Sequence, residues 1–236
     1  MTATTFERVY IWERPVRLYH WVNVVCLAVL VATGLVIGRP PALLSSGDTS
    51  SGYWFGWVRF LHFTASWNFA IVFLVRVYWA FAGNRYARWE NFLPVTPKLF
   101  RRQAREALDV VKVDILQIQA KPVDYLGHNA LAAWSYTATF IATVFQVVTG
   151  FGLYAAMSSS GIAHAFAWVV PFMGGDAIVR QWHHLATWFF VAFSIVHIYL
   201  AVYHDYVEAH GEISSIVSGS RFVEVPGQGA EGQGRT

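Results

Sequence analysis

The 236 residues are 56% hydrophobic, 17% aromatic and only 13% charged, with a mean hydropathy of +0.40. A soluble domain usually carries about 25% charged residues, so this composition indicates an integral membrane protein. The net charge is +3. A single cysteine, Cys26, excludes a disulfide framework and a cysteine-held iron–sulfur cluster within the chain, and no glycine-rich dinucleotide fingerprint or phosphate-binding loop appears.

A bilayer core of about 30 Å is crossed by roughly 20 mostly apolar helical residues. Four stretches meet that requirement. The first runs from about Leu18 to Ile37 and is closed by Gly38, Arg39 and two prolines. Its apolar run lacks the small-residue cleavage pattern of a signal peptide and reads as a retained helix. The second runs from about Trp57 to Phe81 and ends at Gly83-Asn84-Arg85. The third spans about Leu131 to Ala156, and the fourth about His183 to Tyr203. The apolar piece Ile162 to Met173 contains Pro171 and is too short to span, so it is expected at the interface, where Trp168 fits. Residues after Ser218 are rich in Gly, Gln and Glu, a composition of disorder. The predicted organisation is all-α: a four-helix transmembrane bundle over residues 1–222 and a disordered cytoplasmic tail over 223–236.

Orientation follows from the distribution of lysine and arginine. The N-terminal segment holds Arg8, Arg14 and Arg17, and the long second connection holds Arg85, Arg88, Lys98, Arg101, Arg102, Arg105, Lys112 and Lys121. The other two connections hold only Arg39 and Arg59, and then Arg180. Both termini and the long connection are therefore expected on the cytoplasmic side of a bacterial inner membrane. The charge run reads as a solvated loop near anionic lipid, with no need for a nucleic-acid partner.

With that topology each histidine has a depth. His20 opens span one near the cytoplasm, and His62 lies near the start of span two on the opposite side. His183 opens span four on that same outer side, and His197 follows it by fourteen residues. At about 100° and 1.5 Å per residue, fourteen steps return a helix to within roughly 40° of its face after about 21 Å. One helix thus presents two imidazoles in one direction, one toward each side of the membrane. His62 pairs in depth with His183, and His20 with His197. Each pair is a candidate axial ligand set for one b-type haem, giving two stacked haems in a four-helix bundle. A lone histidine is more often a satisfied core or interfacial residue, but an ionisable group as deep as His197 is costly and usually functional. His184 is the rival of His183, although its thirteen-residue step to His197 turns it about 140° away.

Arg17, Arg59 and Arg180 each precede His20, His62 and His183 by three residues. Positions three apart share a helix face, so each arginine is a candidate partner for a haem propionate. Arg76, fourteen residues after His62, is the corresponding candidate for the inner haem. Positive-inside anchoring or snorkelling is the other account of Arg17 and Arg76, but it does not explain Arg59 or Arg180, which sit on the positive-poor side. Gly34, fourteen residues after His20, and Gly150 and Gly152 on span three would admit a flat porphyrin or simply allow close helix packing.

The segments Val9-Tyr10-Ile11-Trp12-Glu13-Arg14-Pro15-Val16-Arg17-Leu18-Tyr19-His20-Trp21, Arg76-Val77-Tyr78-Trp79-Ala80-Phe81-Ala82-Gly83-Asn84-Arg85-Tyr86 and Gly127-His128-Asn129 together resemble the b-type cytochrome subunit of membrane-bound nickel–iron hydrogenases. The resemblance covers roughly residues 8 to 222 in order. It implies two partners, a large nickel–iron subunit and a small iron–sulfur subunit on the outer face, with this chain as their membrane anchor. It implies that electrons from hydrogen reach the outer haem (His62, His183), then the inner haem (His20, His197), and finally ubiquinone or menaquinone. The resemblance also implies a quinone near the inner haem, with Asn129 and His128 as candidate hydrogen-bond partners and His204 or Asp205 as proton donors. Asn129 equally suits an N-cap of span three. The histidine pattern itself is shared with cytochrome subunits of formate dehydrogenases and other quinone-reducing oxidoreductases, which is the alternative function. A haem-free anchor or transporter with histidine proton relays is the reading of a different class.

Overall fold

A computed structural model describes residues 5–41, 53–91, 130–208 and 211–225, together with isolated positions between 100 and 112. His128, Asn129, His210 and most of the basic second connection lie outside the described residues. Four long helices dominate: α1 (Arg14–Gly38), α2 (Trp54–Ala82), α3 (Ala130–Ala155) and α6 (Asp176–Glu208). Between the last two lie the short helices α4 (Gly161–His164) and α5 (Val169–Phe172), and α7 (Glu212–Ser218) follows α6. The four long helices are long and apolar enough to cross a membrane, and the chain is a multi-pass membrane protein.

Local chemistry sets the helix ends. Pro15 sits in the first turn of α1, where a missing N–H removes no intrahelical bond. At the other end Arg39 N–H still donates to Leu35 O at 3.0 Å, and Pro40 and Pro41 then stop the helix. Before α6, Gly174 and Gly175 turn the chain with φ of 94° and 116°, a left-handed region that favours glycine. Asp176 follows in the first turn, where a carboxylate complements the helix dipole, and it pairs with Arg180 at 2.5 Å. The fourth helix therefore starts at Asp176 and not at His183. An apolar stretch marks the part of a helix that suits lipid and misses the first two turns, which carry Asp176, Arg180 and Gln181. His183 consequently stands two turns inside regular helix, on a backbone that holds its direction.

The chain divides into two compact units. The first, Leu18–Phe81 with Ser135–Val196, contains most of the four long helices. Phe69, Phe151, Val179 and Phe190 are buried within it, while Val25, Leu74, Ile141 and Leu185 are exposed. Helices that are apolar on both inner and outer faces are built for a lipid surround. The short apolar piece after α3 forms α4 and α5, with Trp168 and Phe172 exposed.

The second unit, Met1–Arg17, Ala82–Trp134 and His197–Thr236, gathers the chain ends and the segment after α2. Here the structure departs from an all-α fold. Strand β1 (Thr5–Tyr10) pairs antiparallel with β2 (Ser220–Val225), in the register Thr5↔Val225 through Tyr10↔Ser220. The strands come from opposite ends of the sequence, so no hairpin turn advertises them. The polar composition after Ser218 predicts disorder, but Ser220–Val225 gains order from a partner strand that composition cannot see. Gly219, at φ 90°, ends α7, and its carbonyl accepts from Ile11 N–H at 2.8 Å and Trp12 N–H at 3.0 Å. A Cβ there would stand 2.8 Å from Trp12 O and 2.6 Å from Tyr10 Cε2. Trp12 Nε1 donates to Ser215 Oγ at 3.1 Å, joining the N-terminal segment to α7.

Asn84 closes the same unit. Its Nδ2 donates to Ile11 O at 2.9 Å and its backbone N–H donates to Glu13 Oε2 at 2.9 Å. Its Oδ1 accepts from the N–H of Tyr86 and of Ala87, both at 3.1 Å. The motif after α2 and the N-terminal motif are thereby two halves of one hydrogen-bonded corner.

Candidate functional site

Within the first unit a cavity of about 860 Å³ is lined by His62, His183, His184, Arg59, Arg180 and Gln146 among others. Pockets for cofactor-sized ligands run from roughly 300 to 1,000 Å³. His62 comes from α2 and His183 from α6, and Phe63, Phe151 and Phe190 add apolar wall.

Each of these two imidazoles is held by a threonine on a third or fourth helix. His62 Nδ1 lies 2.9 Å from Thr33 Oγ1 on α1, and the Thr33 hydroxyl donates to Val29 O at 2.6 Å. His183 Nδ1 lies 2.8 Å from Thr149 Oγ1 on α3, and the Thr149 hydroxyl donates to Phe145 O at 2.7 Å. A hydroxyl has one hydrogen. With that hydrogen committed to the backbone carbonyl, each threonine oxygen meets its histidine as an acceptor, so Nδ1–H is the donor. A neutral imidazole then carries no hydrogen on Nε2, and that lone pair is available to a metal.

Glycines adjoin both threonines. A Cβ on Gly34 would stand 3.3 Å from His62 Cε1, and one on Gly150 would stand 3.2 Å from His183 Cε1. The space left by each missing side chain is occupied by an imidazole edge, a closer use than either open room for a porphyrin or general helix packing. Gly152 does serve helix packing, since a Cβ there would meet Val169 Cβ at 2.8 Å. His184 occupies a different seat, with Cε1 only 2.1 Å from a Cβ built on Gly38. The backbone of His183 has its own brace: Gln146 Nε2 donates to Thr187 Oγ1 and Thr187 Oγ1 donates to His183 O, each at 3.1 Å.

The arginines proposed from spacing fall into two kinds of surroundings. Arg59 and Arg180 line the cavity. Arg59 also reaches Met157 Sδ at 2.9 Å, and Arg180 holds its half-exposed pair with Asp176. Arg76 is buried, its guanidinium 5.5 Å from the Tyr19 ring centroid and 4.8 Å from that of Tyr136. Arg17 Nη1 donates to Val217 O. Among the remaining histidines, His20 is part-buried on α1, edge-on to Trp21 at 5.3 Å, and His197 is exposed on α6. His20 belongs to the first unit and His197 to the second. His164 is an exposed residue whose Nε2 lies 2.9 Å from Ser158 O. Asp205, in the last turn of α6, accepts from Ile213 N–H in the first turn of α7 at 3.2 Å.

Thr33 and Thr149 are the residues that sequence reasoning passed over. The signal was there in the repeated dipeptide Thr-Gly, at 33–34 and 149–150, on the two helices that do not supply His62 or His183.

The donor set fits a haem. Among the described residues no three His, Cys, Asp or Glu side chains gather as a metal cluster. Of the three histidines that line the cavity, His62 and His183 have Nδ1 engaged by a threonine, and two such imidazoles suit an iron that brings four nitrogen donors of its own and needs two axial ligands. Arginines at such a cavity suit the propionates that make a haem anionic.

Comparison with known proteins agrees. The family model described as "Prokaryotic cytochrome b561" matches residues 11–219. The "Probable Ni/Fe-hydrogenase B-type cytochrome subunit" of Cupriavidus necator is 38% identical over 223 residues, covering 93% of this chain and 89% of that protein. The protein of the same description from Azotobacter vinelandii is 39% identical over 216 residues, covering 90% and 88%. The "Probable Ni/Fe-hydrogenase 1 B-type cytochrome subunit" of Escherichia coli is 36% identical over 217 residues, covering 90% of each chain. A four-span helical architecture, a cavity lined by His62 and His183 and matches over about nine-tenths of the length lead to one assignment: the chain belongs to the prokaryotic cytochrome b561 family of haem b membrane proteins, the family that includes these hydrogenase subunits.

Proposed function

We propose that this chain is the membrane subunit of a hydrogen:quinone oxidoreductase complex, anchoring a nickel–iron hydrogenase to the bacterial inner membrane. Hydrogen is oxidised on the partner large (nickel–iron) and small (iron–sulfur) subunits on the outer face, and the electrons cross through this chain to ubiquinone or menaquinone. Both termini face the cytoplasm. Haem b, when bound, supplies a one-electron ferric/ferrous couple at each of two sites.

The observation that carries the reading is the pair His62 and His183. They line one cavity from two helices, and each has its Nδ1 committed to a threonine so that Nε2 is left to ligate. They hold the outer haem, and His20 and His197 hold the inner one. Arg59 and Arg180 neutralise propionates of the outer haem, and Arg17 and Arg76 those of the inner. Two protein ligands on each iron leave no open position for oxygen or hydrogen, which suits electron transfer in preference to gas chemistry. His128 and Asn129 hold the quinone near the inner site. The names of the relatives favour hydrogenase over formate dehydrogenase as the electron source.

The testing experiment uses the intact complex with His197→Ala. Hydrogen oxidation with artificial dyes should persist, because dyes accept electrons upstream, while quinone reduction is lost. Undiminished quinone reduction in that variant overturns the inner-haem assignment.

A further inference from the structure

We infer that Thr33 and Thr149 are a matched pair of positioning residues that fix the tautomer and tune the electron donation of the two axial ligands of the outer haem. The inference rests on the assignment of His62 and His183 as that haem's ligands and goes beyond it, to two residues on the helices that donate no ligand to this site.

Four observations carry it. The two threonines make the same pair of contacts: a donation to the carbonyl four residues back, at 2.6 and 2.7 Å, and a hydrogen-bonding distance to a histidine Nδ1, at 2.9 and 2.8 Å. Each is followed by a glycine against which the same histidine's Cε1 is seated, at 3.3 and 3.2 Å from a built Cβ. Thr33 lies 9% and Thr149 1% exposed, so water does not compete for either hydroxyl. Lastly, the pattern is not what a membrane threonine does by default. Thr139 makes the same donation, to Ser135 O at 3.0 Å, with no glycine after it.

The chemistry follows from the hydrogen count. Because the hydroxyl proton is already given to the helix, the oxygen's lone pairs face Nδ1–H. That acceptor stabilises the Nδ1–H tautomer and pulls electron density onto the ring, making Nε2 a stronger donor to iron. A stronger donor favours the ferric state and lowers the potential of the couple. The adjoining glycine lets the ring approach closely enough for the bond to form. One helix thus supplies each imidazole, and another supplies both its acceptor and its seat.

The test takes the full chain in its membrane complex, with Thr33→Val and Thr149→Val, which keep the shape and delete the hydroxyl, and Thr33→Ser and Thr149→Ser, which keep it. Redox titration followed at the haem α-band should show the outer couple shifted to higher potential in each valine variant, and haem should dissociate about 10–100-fold more readily. The serine variants should restore wild-type potential and retention. Valine variants with wild-type potential and wild-type haem retention overturn the inference. So do serine variants that behave like the valines, since shape alone would then be at issue. His62→Ala and His183→Ala separate the two levels of the argument. If those alanine variants keep full haem content, the ligand assignment itself fails; if they lose one haem while the valine variants are unchanged, only the role of the threonines fails.

Discussion

The Cε1 of His62 rests where a side chain of residue 34 would begin, 3.3 Å from a Cβ built on Gly34. At that distance an alanine is accommodated only if the ring yields by a few tenths of an ångström, and anything larger must displace it. Alanine is the better helix former by roughly 0.5–1 kcal/mol, so Gly34→Ala should leave the protein folded and inserted. Gly34→Val should overpack the site at a cost of about 1–3 kcal/mol and expel the ligand from its seat. Haem per polypeptide should fall slightly in the alanine variant and by about one equivalent in the valine variant. Equal, full haem content in both would show that the ring does not depend on this seat.

Arg76 is expected to resist replacement by lysine. Its guanidinium lies against the rings of Tyr19 and Tyr136, a stacking that a compact ammonium does not reproduce. Cation–π contacts of this kind are worth about 0.5–2 kcal/mol. Arg76→Lys should therefore lower thermal stability and reduce occupancy of the inner haem while the outer haem is kept. Low-temperature optical spectra that resolve the two α-bands will show this; two bands of unchanged intensity would separate Arg76 from the inner site.

Asn84 predicts a structural phenotype with no spectral one. Its side chain makes three hydrogen bonds, to Ile11 O and from the N–H groups of Tyr86 and Ala87. Asn84→Ala removes the bonds to Ile11 O and from Tyr86 N–H, while Ala87 N–H keeps its backbone bond to Asn84 O, at a cost of roughly 1–3 kcal/mol. Thermal unfolding of the purified protein should shift down, and the N-terminal segment should become sensitive to protease. The outer haem spectrum should stay as in wild type. An unaltered unfolding midpoint would mean that the corner contributes nothing measurable.

Much of this was legible in the residues. The four long helices follow from apolar length alone, and His62 and His183, paired in the sequence by their expected depth, line one cavity. What escaped reading did so for identifiable reasons. Asp176 to Trp182 is helical but carries Asp176, Arg180 and Gln181, so an uninterrupted apolar stretch begins the helix late. The β1–β2 ribbon joins segments from opposite ends of the sequence, and neither segment alternates strongly enough to announce itself. Thr33 and Thr149 were hidden because a threonine bonded to its own helix looks the same in sequence whether or not a histidine approaches its other lone pair. Thr139 is the ordinary case, and only the following glycine distinguishes the other two. Gly34 and Gly150 mark gaps in the sequence, but what fills a gap is set by a neighbouring helix.

The most direct test of the account is a haem count. Pyridine haemochrome quantification against protein concentration should give two haem b per polypeptide for the intact complex, and one for His62→Ala and for His183→Ala with the chain still in the membrane. A wild-type value near zero, or alanine variants that retain the full wild-type count, would contradict the claim that these two imidazoles share one iron.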